Sequence, residues 1–160
     1  MTSKYRNCIW FNGNAVEAAE YYASVFPGVT VGEIANYPDG QPDFNKHMEG
    51  KPLMVNVDFE DQRYIFLNAG PEFPHNENFS IEVMCDDQAE VDLYWDRLVG
   101  DGGAESMCGW CKDKFGFNWQ IVPKQFYELM SDPSVEKPVM DAMYQMKKLI
   151  VADLEAAAGR

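Results

Sequence analysis

Twice along this chain the hydrophobic positions pass from alternation to helical spacing and then back to alternation. Ile9 and Phe11 alternate with Cys8 and Trp10, which predicts a strand over Asn7 to Phe11. Ala15, Ala18, Ala19, Tyr22 and Phe26 then recur at the spacing of a helix with one buried face, and Pro27-Gly28 stops the run. Asn14, with Glu17 three residues later, has the form of a capping box at the start of that helix. The scheme returns from Phe79: a strand to Cys85, a cap from Asp87 and Glu90, and an apolar stripe of Val91, Tyr94, Trp95 and Leu98 closed by Gly100, Gly102 and Gly103.

Further strands follow each predicted helix. Leu53, Val55, Val57 and Phe59 alternate with Met54, Asn56 and Asp58, and Glu60-Asp61 makes a turn into a strand over Gln62 to Asn68. Tyr37 to Pro52, rich in Pro, Gly, Asp and Asn without periodicity, reads as a loop. After the alternating run that ends at Pro123, helical patterns cover Lys124 to Met130 and Pro138 to Ala158. In the second of these, Val139, Met143, Met146, Ile150 and Leu154 share one side. The methionines from Met140 to Met146 read as core, and this last helix is expected to cover the outer sheet or a dimer seam.

Sidedness sorts the strand residues, because a helix packed on one side of a sheet requires every strand to turn apolar side chains toward it. Ile9, Phe11, Ile65, Leu67, Ile81, Val83, Trp119 and Ile121 meet that demand. The opposite faces then carry Cys8, Trp10, Tyr64, Phe66, Asn68, Ser80, Glu82, Asn118 and Gln120. A mixture of aromatic and polar groups of this kind suits a concave small-molecule pocket, and leaving Trp10, Tyr64 and Phe66 in water would expose an apolar patch. The alternative is an ordinary solvated sheet surface.

Composition narrows the partners. The chain has 160 residues, 46% of them apolar, which is one domain's worth of core without a run able to cross a bilayer. Its net charge of −13 repels phosphate backbones and anionic lipid heads, so neither nucleic acid nor membrane is an expected partner. Met1-Thr-Ser-Lys-Tyr-Arg lacks the apolar run of a secretory signal, which makes the cytoplasm the expected location. Cys8 and Cys85 lie in predicted strands as free thiols. Cys108-Gly-Trp-Cys111 forms a CxxC, but a turn and a strand follow it instead of the helix that would acidify a thiol. No second pair completes a zinc ligand set. His47 and His75 read as isolated, exposed loop residues.

Several runs carry a resemblance that spans nearly the whole chain. They are Phe11-Asn12-Gly13-Asn14-Ala15 with Glu17-Ala18, Asn68-Ala69-Gly70-Pro71, and Gln88-Ala89-Glu90-Val91-Asp92 with Tyr94-Trp95. The most specific is Gly109-Trp110 with Lys112-Asp113-Lys114-Phe115-Gly116 and Trp119-Gln120-Ile121-Val122-Pro123. The chain resembles the PhnB-like branch of the glyoxalase/bleomycin-resistance superfamily, the vicinal oxygen chelate proteins. The resemblance implies an α+β fold of two βαβββ modules whose mixed sheets curl around a cup, commonly completed by homodimerisation. The modules would cover about 5–72 and 77–123, with a helical extension over 124–160, in a single domain of residues 1–160.

In metal-using members of that superfamily, one cup-facing position on the first and last strand of each module supplies a ligand. Those positions fall near Cys8, Phe66, Ser80 and Gln120, a set with one group that cannot ligate and no full shell, so no metal or other cofactor is expected. Relatives are often labelled 3-demethylubiquinone-9 3-methyltransferases, yet Asn12-Gly13-Asn14 lacks the further glycines of a cradle for a sulfonium cofactor. Nothing in the chain reads as the phosphate cradle suggested by a second label, phosphonate metabolism. Two functions remain open. One is a metal-free binding protein that stacks a flat or partly aromatic molecule on Trp10, Tyr64 and Phe66. The other is an enzyme of lyase, isomerase or dioxygenase type that uses a divalent metal, or Glu82 as general base were burial to raise its pKa. Trp110, Lys112, Asp113 and Phe115 read as structural, the Lys-Asp pair fixing a hairpin end between Gly109 and Gly116; their place at the cup rim leaves a ligand role open for all four, and Trp110 is counted among the ligand contacts.

Overall fold

A computed structural model of the chain describes residues 4–160. The chain forms two compact units, Met1–Pro74 and His75–Arg160. In the first, β1 (Asn7–Phe11) leads into α1 (Ala15–Val25), and then come β2 (Val29–Asn36), β3 (Pro52–Phe59) and β4 (Gln62–Asn68). These strands form one sheet in the order β1-β4-β3-β2, with β1 parallel to β4 and the other pairs antiparallel. The loop before β3 holds a single 3-10 turn at Lys46–Met48.

The second unit repeats the plan. β5 (Ile81–Cys85), α2 (Gln88–Gly100), β6 (Ala104–Glu105), β7 (Trp110–Lys112) and β8 (Asn118–Pro123) give the order β5-β8-β7-β6, and β5 runs parallel to β8. The fold is therefore mixed α+β, with two four-stranded mixed sheets that each follow the βαβββ plan. Three helices end the chain: α3 (Lys124–Met130), α4 (Glu136–Met143) and α5 (Val151–Ala157). Among the described residues no helix is long and apolar enough to cross a membrane.

The two helix starts are built differently. At α2 the Asp87 carboxylate accepts the Glu90 amide at 3.0 Å, and the Glu90 carboxylate accepts the Asp86 amide at 2.6 Å, a reciprocal cap close to the predicted one. At α1 the predicted capping box does not form, since Asn14 stands at the N-cap without a side-chain cap bond. Asn68 does that work from the end of β4: its Oδ1 accepts the Ala15 amide at 2.9 Å, and its Nδ2 donates to the Pro52 carbonyl at 3.0 Å. The first free N–H groups of a helix need an acceptor, and here a distant strand supplies it.

The single helix predicted over Pro138 to Ala158 is broken into α4 and α5. Between them the Met146 and Lys147 carbonyls accept the Cys108 and Gly109 amides at 2.8 and 2.7 Å, and the Val151 amide donates to Gln88 Oε1 at 2.7 Å. Groups that would otherwise close helical turns are spent on tertiary partners, so the helix stops there. Val139 and Leu154, two members of the predicted stripe, join Val122, Leu129 and Leu149 in a buried cluster, with Met143 and Met146 packed alongside.

Candidate functional site

Side chains on paired strand positions point to the same face, so register decides which residues meet. In the first sheet Ile9 pairs with Phe66 and Phe11 with Asn68. Phe66 is wholly buried, 4.9 Å from the Phe11 ring, and edge-on to Tyr22 of α1 at 5.7 Å. Tyr64, Phe66 and Asn68 therefore belong to the helix-facing side, which corrects their predicted placement in a ligand-lining face. Burial raises the Tyr64 phenol above its ordinary pKa, and the phenol donates to Gln62 Oε1 at 3.2 Å. The error has a physical origin. Tyr64-Ile65-Phe66-Leu67 is apolar on both sides, so alternation alone does not choose a face.

Cys8 and Trp10 do lie on the face opposite α1, beside Ile65 and Leu67 of β4, whose predicted place is the helix side. Trp10 donates through Nε1 to the Gly70 carbonyl at 2.7 Å and meets Phe73 edge-on at 4.9 Å.

In the second unit the predicted sidedness holds. Ile81, Trp119 and Cys111 align on the α2 side, while Glu82, Gln120 and Trp110 form a row on the other. Asn118 pairs with Lys112 one pleat along that same face. Gln120 Nε2 donates to Ser80 Oγ at 2.8 Å. The structure thus brings together Ser80, Glu82, Trp110, Asn118 and Gln120. Three more residues share the face. Lys112 is held by Glu77 at 2.5 Å, Met84 is 64% exposed, and Tyr127 of α3 donates its hydroxyl to Glu82 Oε2 at 2.8 Å. Burial, then the Glu82 contact, pushes the Tyr127 phenol up to about 12. Alternation identified the strand residues, but only folding brings a helix residue to them.

Asn118 is the informative member. The residue is 2% exposed, and its Nδ2 makes no hydrogen bond among the described residues. A buried donor left unpaired costs about 1–3 kcal/mol, a cost that a suitably placed acceptor removes.

Asp113 has a structural part. Its buried carboxylate accepts the Phe115 and Phe117 amides at 2.8 and 3.0 Å and Trp119 Nε1 at 2.8 Å, fixing the turn before β8. Gly116 closes that turn at φ +79°, and Gly109 opens β7 at φ +83°, conformations that favour glycine. His47 is exposed as predicted, but His75 is partly buried with its ring edge-on to Phe117 at 5.4 Å. Burial lowers the pKa of His75, against an opposing pull from Asp113.

The CxxC is not arranged for redox work. Cys108 sits in a turn at φ +59°, and Cys111 is buried on the α2 side with its thiol pushed up to about 12 by burial and then by Asp113. Cys85 is raised to about 12 for the same leading reason. Cys8 is exposed, its thiol raised less far by partial burial against an opposing Arg6. With a disulfide reagent such as DTNB near pH 8, Cys8 is expected to react first. Cys85 and Cys111 should react only after unfolding, and Cys8→Ser should remove the fast phase.

The family described as 3-demethylubiquinone-9 3-methyltransferase matches residues 3–122. The chain belongs to that family. Solved structures of similar fold include a PhnB protein from Bacillus cereus, 24% identical, with 76% of this chain and 99% of that one covered at a TM-score of 0.65. Protein PA1353 from Pseudomonas aeruginosa is 20% identical, with 76% and 97% covered at a TM-score of 0.60. At these identities the likeness speaks for the fold. No match is found among curated proteins.

The groups that such relationships imply can be tested against this chain's own residues. The methyl donor expected from the family's description needs a cradle at a strand-to-helix turn. At Asn12-Gly13-Asn14 the Ala15 amide is already engaged by Asn68, so the turn does not fit. A divalent metal fits no better. Phe66 is inside, its neighbours Ile65 and Leu67 carry no donor, and Ser80 and Gln120 are neutral groups bonded to each other. Among the described residues no three His, Cys, Asp or Glu side chains cluster for a metal. Glu82 is exposed and bonded to Tyr127, so the burial that its candidacy as a base required is not there.

Proposed function

We propose that this chain is a small-molecule-binding protein of the glyoxalase/bleomycin-resistance superfamily. It holds a flat, partly aromatic ligand on the face of its second sheet opposite α2, and needs neither metal nor cofactor. The unpaired, buried Asn118 amide carries this reading. A carbonyl or similar oxygen on the ligand would pair with it, Gln120 and Ser80 offer a second polar pair, and Trp110 supplies an aromatic surface. The binding reading is favoured over methyl transfer because the only strand-to-helix turn suggested for the donor in the first unit has its leading amide occupied.

The test uses 2-acetylnaphthalene, a flat neutral ketone, against 2-ethylnaphthalene, which has the same rings without the acceptor, in tryptophan-fluorescence titrations. The ketone is expected to bind about tenfold tighter, as one recovered hydrogen bond worth about 1.4 kcal/mol implies. In Asn118→Leu that preference should vanish while the melting temperature holds or rises, because an unpaired donor has been removed. Equal affinity for the two probes in the wild-type protein would end this reading.

A further inference from the structure

The family match stops at residue 122, and the two relatives above are covered almost entirely by three quarters of this chain. Residues past that span form α3, α4 and α5, and they are firmly tied to the second unit. Val122, the next residue after Gln120 on the same strand face, enters the buried cluster with Leu129, Val139, Leu149 and Leu154. Gln88 clasps the segment before α5 by donating to the Leu149 carbonyl at 3.2 Å and accepting the Val151 amide. Lys148 pairs with Asp92 of α2 at 2.8 Å. The extension therefore closes one end of the face that carries Asn118, Gln120 and Trp110, and from that end it sends one side chain back onto the face.

That side chain is Tyr127. Its hydroxyl is fixed on Glu82, which pairs with Gln120 across β5 and β8, while the residue as a whole remains 44% exposed. Phe126 backs it edge-on at 5.4 Å. An anchored phenol with a free ring surface is suited to stack on a ligand at little entropic cost, since its two torsions are already set. Along a strand, two residues span roughly 7 Å, about the reach from a polar anchor at Asn118 to the far ring of a fused bicycle beside Glu82 and Tyr127.

We infer that the C-terminal helices complete the site, and that Tyr127 is its specificity-determining contact, selecting ligands with an extended, two-ring aromatic body over single-ring ones. Glu82 is a positioning residue that holds the phenol in place. This rests on the binding site proposed above.

The experiment compares 2-acetylnaphthalene with acetophenone, the same ketone on one ring, in wild type, Tyr127→Ala, Tyr127→Phe and Glu82→Gln. Wild type should favour the larger ketone. Tyr127→Ala should weaken it about fivefold and leave acetophenone within twofold, the loss expected of one aromatic contact. Tyr127→Phe, which keeps the ring and loses the anchor, should fall between. Glu82→Gln, whose amide oxygen can still accept the phenol, should fall between wild type and Tyr127→Phe, with an unchanged melting temperature in each case. If Tyr127→Ala keeps the wild-type preference for two rings while Asn118→Leu abolishes the preference for a carbonyl, the site stands and the part given to Tyr127 is overturned. If neither variant changes either preference, the site itself is misplaced and this inference falls with it.

Discussion

Phe66→Ala should lower the free energy of unfolding by about 3–5 kcal/mol, the range for truncating a buried aromatic where the surroundings relax only in part. Phe66 is wholly buried between Phe11 on β1, Tyr22 on α1 and Phe59 on β3, with ring centroids 4.9, 5.7 and 6.5 Å away. A change to alanine leaves a cavity lined by these three rings. Had the residue faced a ligand-lining surface, the same substitution would cost little stability and would change ligand affinity instead. Urea denaturation followed by far-UV circular dichroism separates the two outcomes. A loss below about 1 kcal/mol, with weakened binding of 2-acetylnaphthalene, would restore the face assignment that alternation first suggested.

That contrast shows what patterning can carry. In the second sheet Ser80, Glu82, Asn118 and Gln120 interrupt the apolar positions at strict intervals of two, so only one orientation buries the aliphatic set and the faces were readable. In β4 both orientations bury apolar groups, and the choice is made by Asn68, which must reach the start of α1, and by the pairing of Ile9 with Phe66. Neither constraint is local. The same holds for the cap of α1, where Asn14 had the right residue type in the right place but a strand asparagine took the role. The helix pattern from Pro138 onward was sound as a hydrophobic stripe. It broke because Cys108, Gly109 and Gln88 offered its backbone other partners, which no spacing within the segment reveals. Tyr127 was invisible for a similar reason, since its meaning lies in a bond to a residue on another element.

Asp113→Ala should be comparably damaging, at about 3–5 kcal/mol, although the position is a turn residue and the side chain is charged. Asp113 is 3% exposed, and its carboxylate serves three donors: the amides of Phe115 and Phe117 and the indole of Trp119, itself wholly buried. Alanine leaves these donors without their acceptor, and buried donors that lose a charged partner are among the costly cases. Asp113→Asn should cost less, about 1–3 kcal/mol, because the amide keeps one oxygen and can still accept at one end of the group. It should harm the Trp119 bond or the two amide bonds, but not both. The order matters more than the absolute size. If Asp113 were present for ligand contact, the alanine variant would keep its denaturation midpoint and lose binding. If it is the keystone of the turn, alanine lowers the midpoint more than asparagine, and binding falls only as far as Asn118 and Gln120, which follow directly in β8, are displaced. Equal midpoints for wild type and Asp113→Ala in urea would show that the turn between β7 and β8 stands without its carboxylate.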